Sequence, residues 1–236
     1  MSKKKKIILI VCALLLVAAA VVTAVVLFGR YKDEKRREEL MQQYREAYAQ
    51  MLERYEEENK TATDIDVVFL GDSLTAGYDL ANYYPEYKTL NRGIGGDTTA
   101  GLKERLKVSL FDVRPKVATM LIGANNFDTM MNDYESILQL FKENVPETKI
   151  VLLSLTAMTG KWGHNNGKAI ENNKRIKALA EKYGCEFVDL FTPLADEKTG
   201  EAREGYTVDG GHLTPEGYAV VTAQIKPVLE KLLKEE

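Results

Sequence analysis

The chain has 236 residues, 45% of them hydrophobic and 28% charged, with a formal net charge of −3. These values exclude a disordered or collagen-like chain and offer no basic face for nucleic acid. Two cysteines and two histidines, His164 and His212, exclude a disulfide scaffold, a Cys-based zinc site and a multi-histidine metal centre.

Ile7 to Phe28 is an unbroken run of 22 residues with no charge, Gly or Pro, preceded by Lys3, Lys4, Lys5 and Lys6. As a helix it would measure about 33 Å, enough for a hydrocarbon core of ~30 Å. A cleaved signal peptide is the alternative. Its apolar core usually has only ~7–15 residues, and the one small-residue site, Val22-Thr23-Ala24, lies inside the run. The expectation is an uncleaved transmembrane signal anchor over residues 7–28 behind a cytoplasmic basic tail, residues 1–6. The lysine tail argues for an extracytoplasmic C-terminal part, against Arg30, Lys32, Lys35, Arg36 and Arg37, which follow the run. Cys12 follows Val11 rather than the small residue of a lipoprotein site and reads as apolar filler.

Residues 29–60 form the next segment, and residues 30–60 carry eight basic and nine acidic side chains. Leu40, Tyr44, Tyr48, Met51 and Tyr55 recur at spacings of four, four, three and four, one face of an amphipathic helix. Two heptads of mainly Tyr and Met make a weak coiled coil. The expectation is a linker helix that packs on the following domain and holds it near the membrane.

Residues 61–236 carry a net charge of −6 and fit one domain. Ile65–Leu70, Thr89–Asn91, Val117–Ile122, Ile150–Leu155 and Phe187–Leu190 read as strands. Helical patterns cover Thr99–Leu110, Tyr134–Asn144 and Ala169–Tyr183. A last helix starts at Thr214-Pro215-Glu216, with a capping hydroxyl and Pro at the first helical position. Its stripe is Tyr218, Val221, Ile225, Val228 and Leu232. Strands alternating with helices predict a parallel sheet covered on both faces, with sites beyond the carboxyl ends of the strands.

The polar motifs fall at those ends. Gly71-Asp72-Ser73-Leu74 follows the first strand, where a Ser on a tight turn exposes its hydroxyl; a Ser that merely caps a helix is the simpler alternative. Asn91-Arg92-Gly93-Ile94-Gly95-Gly96-Asp97 follows the second. Its glycines let backbone N–H groups approach a ligand, and its spacing fits neither a dinucleotide fingerprint nor a P-loop. Gly123-Ala124-Asn125-Asn126 follows the third, where an Asn amide either donates to an oxyanion or bridges loops. Asp209-Gly210-Gly211-His212 precedes the last helix and pairs an imidazole base with a carboxylate three residues away.

In this order the motifs resemble the blocks of the SGNH or GDSL family of serine hydrolases, over essentially all of residues 61–236. The resemblance implies a three-layer α/β/α, flavodoxin-like fold with a five-stranded parallel sheet. It makes Ser73 the nucleophile, His212 the base and Asp209 its orienting acid. The N–H groups of Ser73 and Gly96 and the amide of Asn125 then form the oxyanion hole, and no metal or organic cofactor is needed. The third block often ends in Asp, where this chain has Asn126. The wording Gly-Ile-Gly-Gly-Asp-Thr-Thr is similar to the branch containing platelet-activating-factor acetylhydrolase catalytic subunits, which leans toward short acyl groups.

The leading expectation is a membrane-anchored serine esterase acting on short acyl esters, with O-acetyl of a cell-surface glycan as the foremost substrate class. The competing readings are a lysophospholipase or lipase, an acyltransferase, and a catalytically inactive binding module on a membrane stalk. Trp162 and His164 lie in a polar loop after the fourth strand, read either as a border of the substrate pocket or as a surface loop. Tyr78, Tyr83, Tyr84 and Tyr87 are assigned to core packing and Cys185 to filler beside the fifth strand.

Overall fold

A computed structural model describes residues 2–234, without the side chains of residues 8–14 and 17–21. It divides into two compact units, Met1–Gln50 and Met51–Glu236. From Lys3 onward the first belongs to a single helix, α1 (Lys3–Asn59), whose last turns belong to the second unit. Much of the membrane span expected over residues 7–28 falls on side chains outside the described residues. Among the described residues no helix is long and apolar enough to cross a membrane.

The second unit is built on five strands: β1 (Val67–Gly71), β2 (Thr89–Gly93), β3 (Val117–Leu121), β4 (Lys149–Leu153) and β5 (Glu186–Val188). All pair in parallel in the order β2-β1-β3-β4-β5. The register sets Gly71 of β1 opposite Gly93 on one side and Leu121 on the other. The chain therefore reverses its direction across the sheet at the β1/β3 border, where doubly wound folds place ligands.

The strands read as continuous apolar runs because both of their faces are covered. Val67, Phe69, Val117, Leu121 and Val151 pack with Val221, Ile225 and Leu229 of α8 (Pro215–Lys234). The alternate residues Val68, Leu70, Ala118, Met120 and Leu152 face the other way. They pack with Leu102 of α4 (Thr99–Glu104), Ile137 and Phe141 of α5 (Met131–Asn144) and Ile176 of α6 (Asn166–Tyr183). This two-residue alternation is what divides the core into two layers.

Several element ends differ from the sequence expectation; β4 stops at Leu153 rather than Leu155 and β5 at Val188 rather than Leu190. The helix expected over Thr99–Leu110 ends at Glu104 and gives way to a π-helical turn, Lys107–Phe111. Leu102, Leu106 and Leu110 are buried in either geometry, so their spacing did not separate the two. The second strand extends through Arg92 to Gly93, which keep the parallel register with Leu70 and Gly71, and the Arg92 side chain is fully buried. Two short helices, α2 (Ser73–Ala76) and α3 (Leu80–Tyr83), follow β1, and α7 (Phe191–Leu194) follows β5. Tyr78 and Tyr84 lie in the core, with Tyr83 and Tyr87 packed against it, as their core assignment requires. Cys185 is half-buried just before β5, and burial pushes its thiol up to about 11.

Candidate active site

Ser73 is the first residue of α2, directly beyond the carboxyl end of β1. Asp72 caps this helix, its carboxylate accepting the Leu74 N–H at 3.1 Å. The N–H of a first helical residue has no partner within its own helix, so that of Ser73 is available to an incoming anion. Asp72 itself is buried, 1% exposed, and its pKa is pushed up to about 7. Burial is the main cause; the backbone bond to Leu74 opposes it, the charge of Asp97 adds to it, and His212 opposes it.

The second motif wraps around the first. The Ile94 N–H donates to Gly71 O at 3.1 Å, and a turn closes from Asp97 N–H to Ile94 O at 3.2 Å. Gly96 stands exposed in that turn with φ +77, a left-handed conformation that costs glycine nothing. Asp97 is buried and paired with Arg105 at 2.8 Å, both side chains nearly inaccessible. Burial raises the Asp97 pKa and the Arg105 cation opposes it. Arg105 also donates to the carbonyls of Arg92 and Gly71, each at 2.9 Å, so one cation ties the ends of β1 and β2 together.

Asn125 donates one amide hydrogen to Asp97 O at 2.9 Å, which leaves a second donor on the same nitrogen. The two alternatives for this amide therefore coexist: it bridges loops and keeps an N–H to offer. Asn126, at the family's Asp position, donates to Thr99 Oγ1 at 3.0 Å and accepts from Thr99 N–H at 3.4 Å. Its role here is to tie this loop to the start of α4.

His212 and Asp209 come from a loop pinned by the bridge between Thr207 and Leu213, with Val208 N–H donating to His212 O at 2.8 Å. His212 Nε2 lies 3.0 Å from Ser73 Oγ, and its Nδ1 lies 3.1 Å from Asp209 Oδ2. The other oxygen of Asp209 accepts the N–H groups of His212 at 2.9 Å and Gly211 at 3.0 Å. These backbone donors, the His212 one first, hold its pKa well below the usual carboxylate range. Asp209 is thus ionised at neutral pH and aligned to receive Nδ1–H, which leaves Nε2 free to accept the Ser73 proton.

All five residues singled out in the sequence thus lie at neighbouring strand ends or in the loop that closes over them. A model of the GDSL-like lipase/acylhydrolase family matches residues 69–220. The chain belongs to this family. It is an enzyme, a carboxylic ester hydrolase. It is similar to the rat platelet-activating factor acetylhydrolase IB subunit alpha2, 29% identical over 180 residues that cover 72% of this chain and 78% of the relative. A candidate platelet activating factor structure from Streptococcus pneumonia superposes with TM-score 0.71 at 28% identity, covering 77% of this chain and 92% of that one. A candidate acylhydrolase from Bacteroides fragilis does so with TM-score 0.69 at 26% identity, covering 77% and 96%.

The GDSL-family chain also has supporting residues that sequence reading passed over. Asp97 and Arg105 are the clearest, and the only signal for them was a charge pair eight residues apart around a helix start. The segment Thr159–Trp162 supports the site too, and its Trp162 belongs to the loop read from the sequence either as a pocket border or as a surface loop. Thr159 N–H donates to Gly210 O at 2.8 Å, and Lys161 Nζ approaches Asp209 Oδ2 at 4.0 Å. Trp162 lies against the backbone of Gly210 and Gly211: a Cβ on Gly211 would be 3.1 Å from its ring. His164 is exposed in the same 3₁₀ turn, Gly160–Asn165. A cavity of about 310 Å³ is lined by Gly77, Asp79, Asn82, Tyr83, Leu213 and Tyr218, with Pro215; Leu213 is the residue after His212.

Proposed function

We propose that the chain is a membrane-anchored serine esterase that removes short acyl groups, O-acetyl on a cell-surface glycan being the substrate class that fits best. The observation that carries the catalytic assignment is the continuous contact Ser73 Oγ to His212 Nε2 to Asp209, at 3.0 and 3.1 Å. His212 takes the Ser73 proton as Oγ attacks the ester carbonyl, and Asp209 stabilises the imidazolium. The N–H groups of Ser73 and Gly96 and the free N–H of Asn125 receive the oxyanion. His212 then protonates the leaving alcohol, and water repeats the sequence to release the acid.

Three points support a short acyl group on a polar alcohol. The rat relative is named an acetylhydrolase subunit. The cavity lined by Leu213 is small, and it carries the exposed polar side chains Asp79 and Asn82. The catalytic histidine is itself 48% exposed in its side chain, an open placement that suits a bulky polar leaving group on the outer side. The membrane anchor, residues 7–28, with the catalytic unit on the extracytoplasmic side, rests on the apolar run and the lysine tail.

Hydrolysis of p-nitrophenyl esters from acetate to palmitate by the full chain, beside its Ser73→Ala variant, tests this reading. The expected outcome is Ser73-dependent turnover that falls steeply with acyl length. Turnover that rises with length would replace the glycan by a lipid substrate. A folded protein with no Ser73-dependent turnover on any ester would overturn the assignment.

A further inference from the structure

The matched family region starts at residue 69, yet the end of α1 is built into the site. Tyr55 is 1% exposed, and its hydroxyl donates to Gly93 O at 2.8 Å. The Arg92 guanidinium, also fully buried, lies 4.4 Å from the centre of the Tyr55 ring. Its ion-pair partner is Glu58, and Nη2 donates to Asn59 Oδ1 at 2.8 Å. Asn59 in turn donates to Val108 O in the π-helical turn at 2.7 Å.

Arg92 and Gly93 are the last residues of β2, and the turn holding Gly96 follows immediately. From the other side Arg105 grips Arg92 O at 2.9 Å and the Asp97 carboxylate at 2.8 Å. The root of the oxyanion turn is thus clamped between α1 and Arg105. Without Glu58, the buried Arg92 charge would lose its counter-ion, and the strand end would relax toward water.

We propose that the last turns of α1, Met51–Asn59, are a positioning element for the oxyanion turn, with Tyr55 and Glu58 fixing Arg92–Gly93 and thereby the Gly96 N–H. The proposal rests on the reading of Gly96 as an oxyanion donor. It makes these residues positioning groups; none of them touches the substrate. Donors aimed at a developing charge act through fixed placement, so loosening their support lowers the chemical step and leaves substrate binding alone.

The test uses the full chain with Tyr55→Phe, which removes one hydroxyl, and Glu58→Gln, with Glu58→Asp as the conservative control. Turnover of p-nitrophenyl acetate is expressed per active site titrated with an organophosphonate, and amide exchange is followed in the peptide spanning residues 93–98. The expected result is a kcat loss of about five- to fifty-fold, below the ~10²–10³ of losing a donor outright. KM stays within about twofold, exchange in the 93–98 peptide speeds up, and Glu58→Asp recovers most of the activity. Unchanged kcat per titrated site overturns the proposal, whether or not the variants melt earlier. Unchanged exchange in that peptide overturns it as well. If the unmodified chain hydrolyses no ester, the esterase reading fails separately, and faster exchange of the turn still supports the positioning role.

Discussion

Asp72 and Asp209 show how one residue type serves two purposes at one site. Asp209, at the surface, is ionised because two backbone N–H groups point at it. Asp72 is enclosed, and its pKa is pushed up to about 7. Between the unfolded value near 4 and the folded value near 7, the native state holds a proton on Asp72 that the unfolded chain has lost. Stability therefore falls as pH rises through that window and levels off above it. Asp72→Asn keeps an oxygen for the Leu74 N–H and cannot ionise. The variant should lose this decline, so that its urea-unfolding stability between pH 4 and pH 7 varies less than that of the unmodified chain. Asp209 contributes no such slope in this range, since its pKa is shifted downward. Parallel curves for the two proteins would mean that Asp72 is not the group titrating there.

At the scale of elements, the loop that carries Asp209 and His212 owes its shape to its neighbour. Gly210 has φ +91, and a Cβ there would sit 2.3 Å from the Thr159 carbonyl oxygen. Gly210→Ala must push the loop off Thr159 and Trp162, carrying His212 away from Ser73. A displacement of this kind costs about 10² in kcat, while the strain of one such residue costs about 1–3 kcal/mol of stability. Steady-state kinetics and thermal melting of the same variant separate the two; full activity would show that the loop is set by Thr207 and Leu213 alone. This dependence also explains what sequence reading could reach. Ser73, Gly96, Asn125, Asp209 and His212 could be singled out because each lies in a short polar motif, three of these motifs following a strand and the last preceding the final helix. The alternation of strands and helices was legible because burial on both faces leaves continuous apolar runs. The roles of Arg92 and Arg105 were not, and for Tyr55 only its place on the packing face of the helix was, since their partners lie in other elements: Glu58 is 34 positions from Arg92, and Gly93 is 38 from Tyr55. A buried arginine looks like a solvated one until its counter-ion is placed. The π-helical turn escaped for a related reason, because apolar spacing alone does not distinguish it from an α-helix.

On the scale of the whole chain, composition is unevenly distributed, and this carries the proposal of membrane attachment. Four lysines precede 22 uncharged residues, whereas residues 61–236 hold a net charge of −6. A run of this length spans a bilayer core as a helix of about 33 Å. Charge alone sets the direction weakly, because basic residues flank the run on both sides. The full chain should therefore sediment with membranes and resist alkaline carbonate, while a chain starting at residue 31 should be released. Protease added outside intact cells should remove the catalytic unit if the lysine tail faces the cytoplasm. Protection from that protease would reverse the orientation and bring the substrate to the cytoplasmic side, where a wall glycan is out of reach and a lipid ester becomes the better candidate. A carbonate-soluble product shortened by about 25 residues would identify the run as a cleaved signal, since cleavage after Val22-Thr23-Ala24 removes that much. In that case the hydrolase would still reach external glycans, and the positioning role of Met51–Asn59 would be unaffected, since those residues lie beyond the cut.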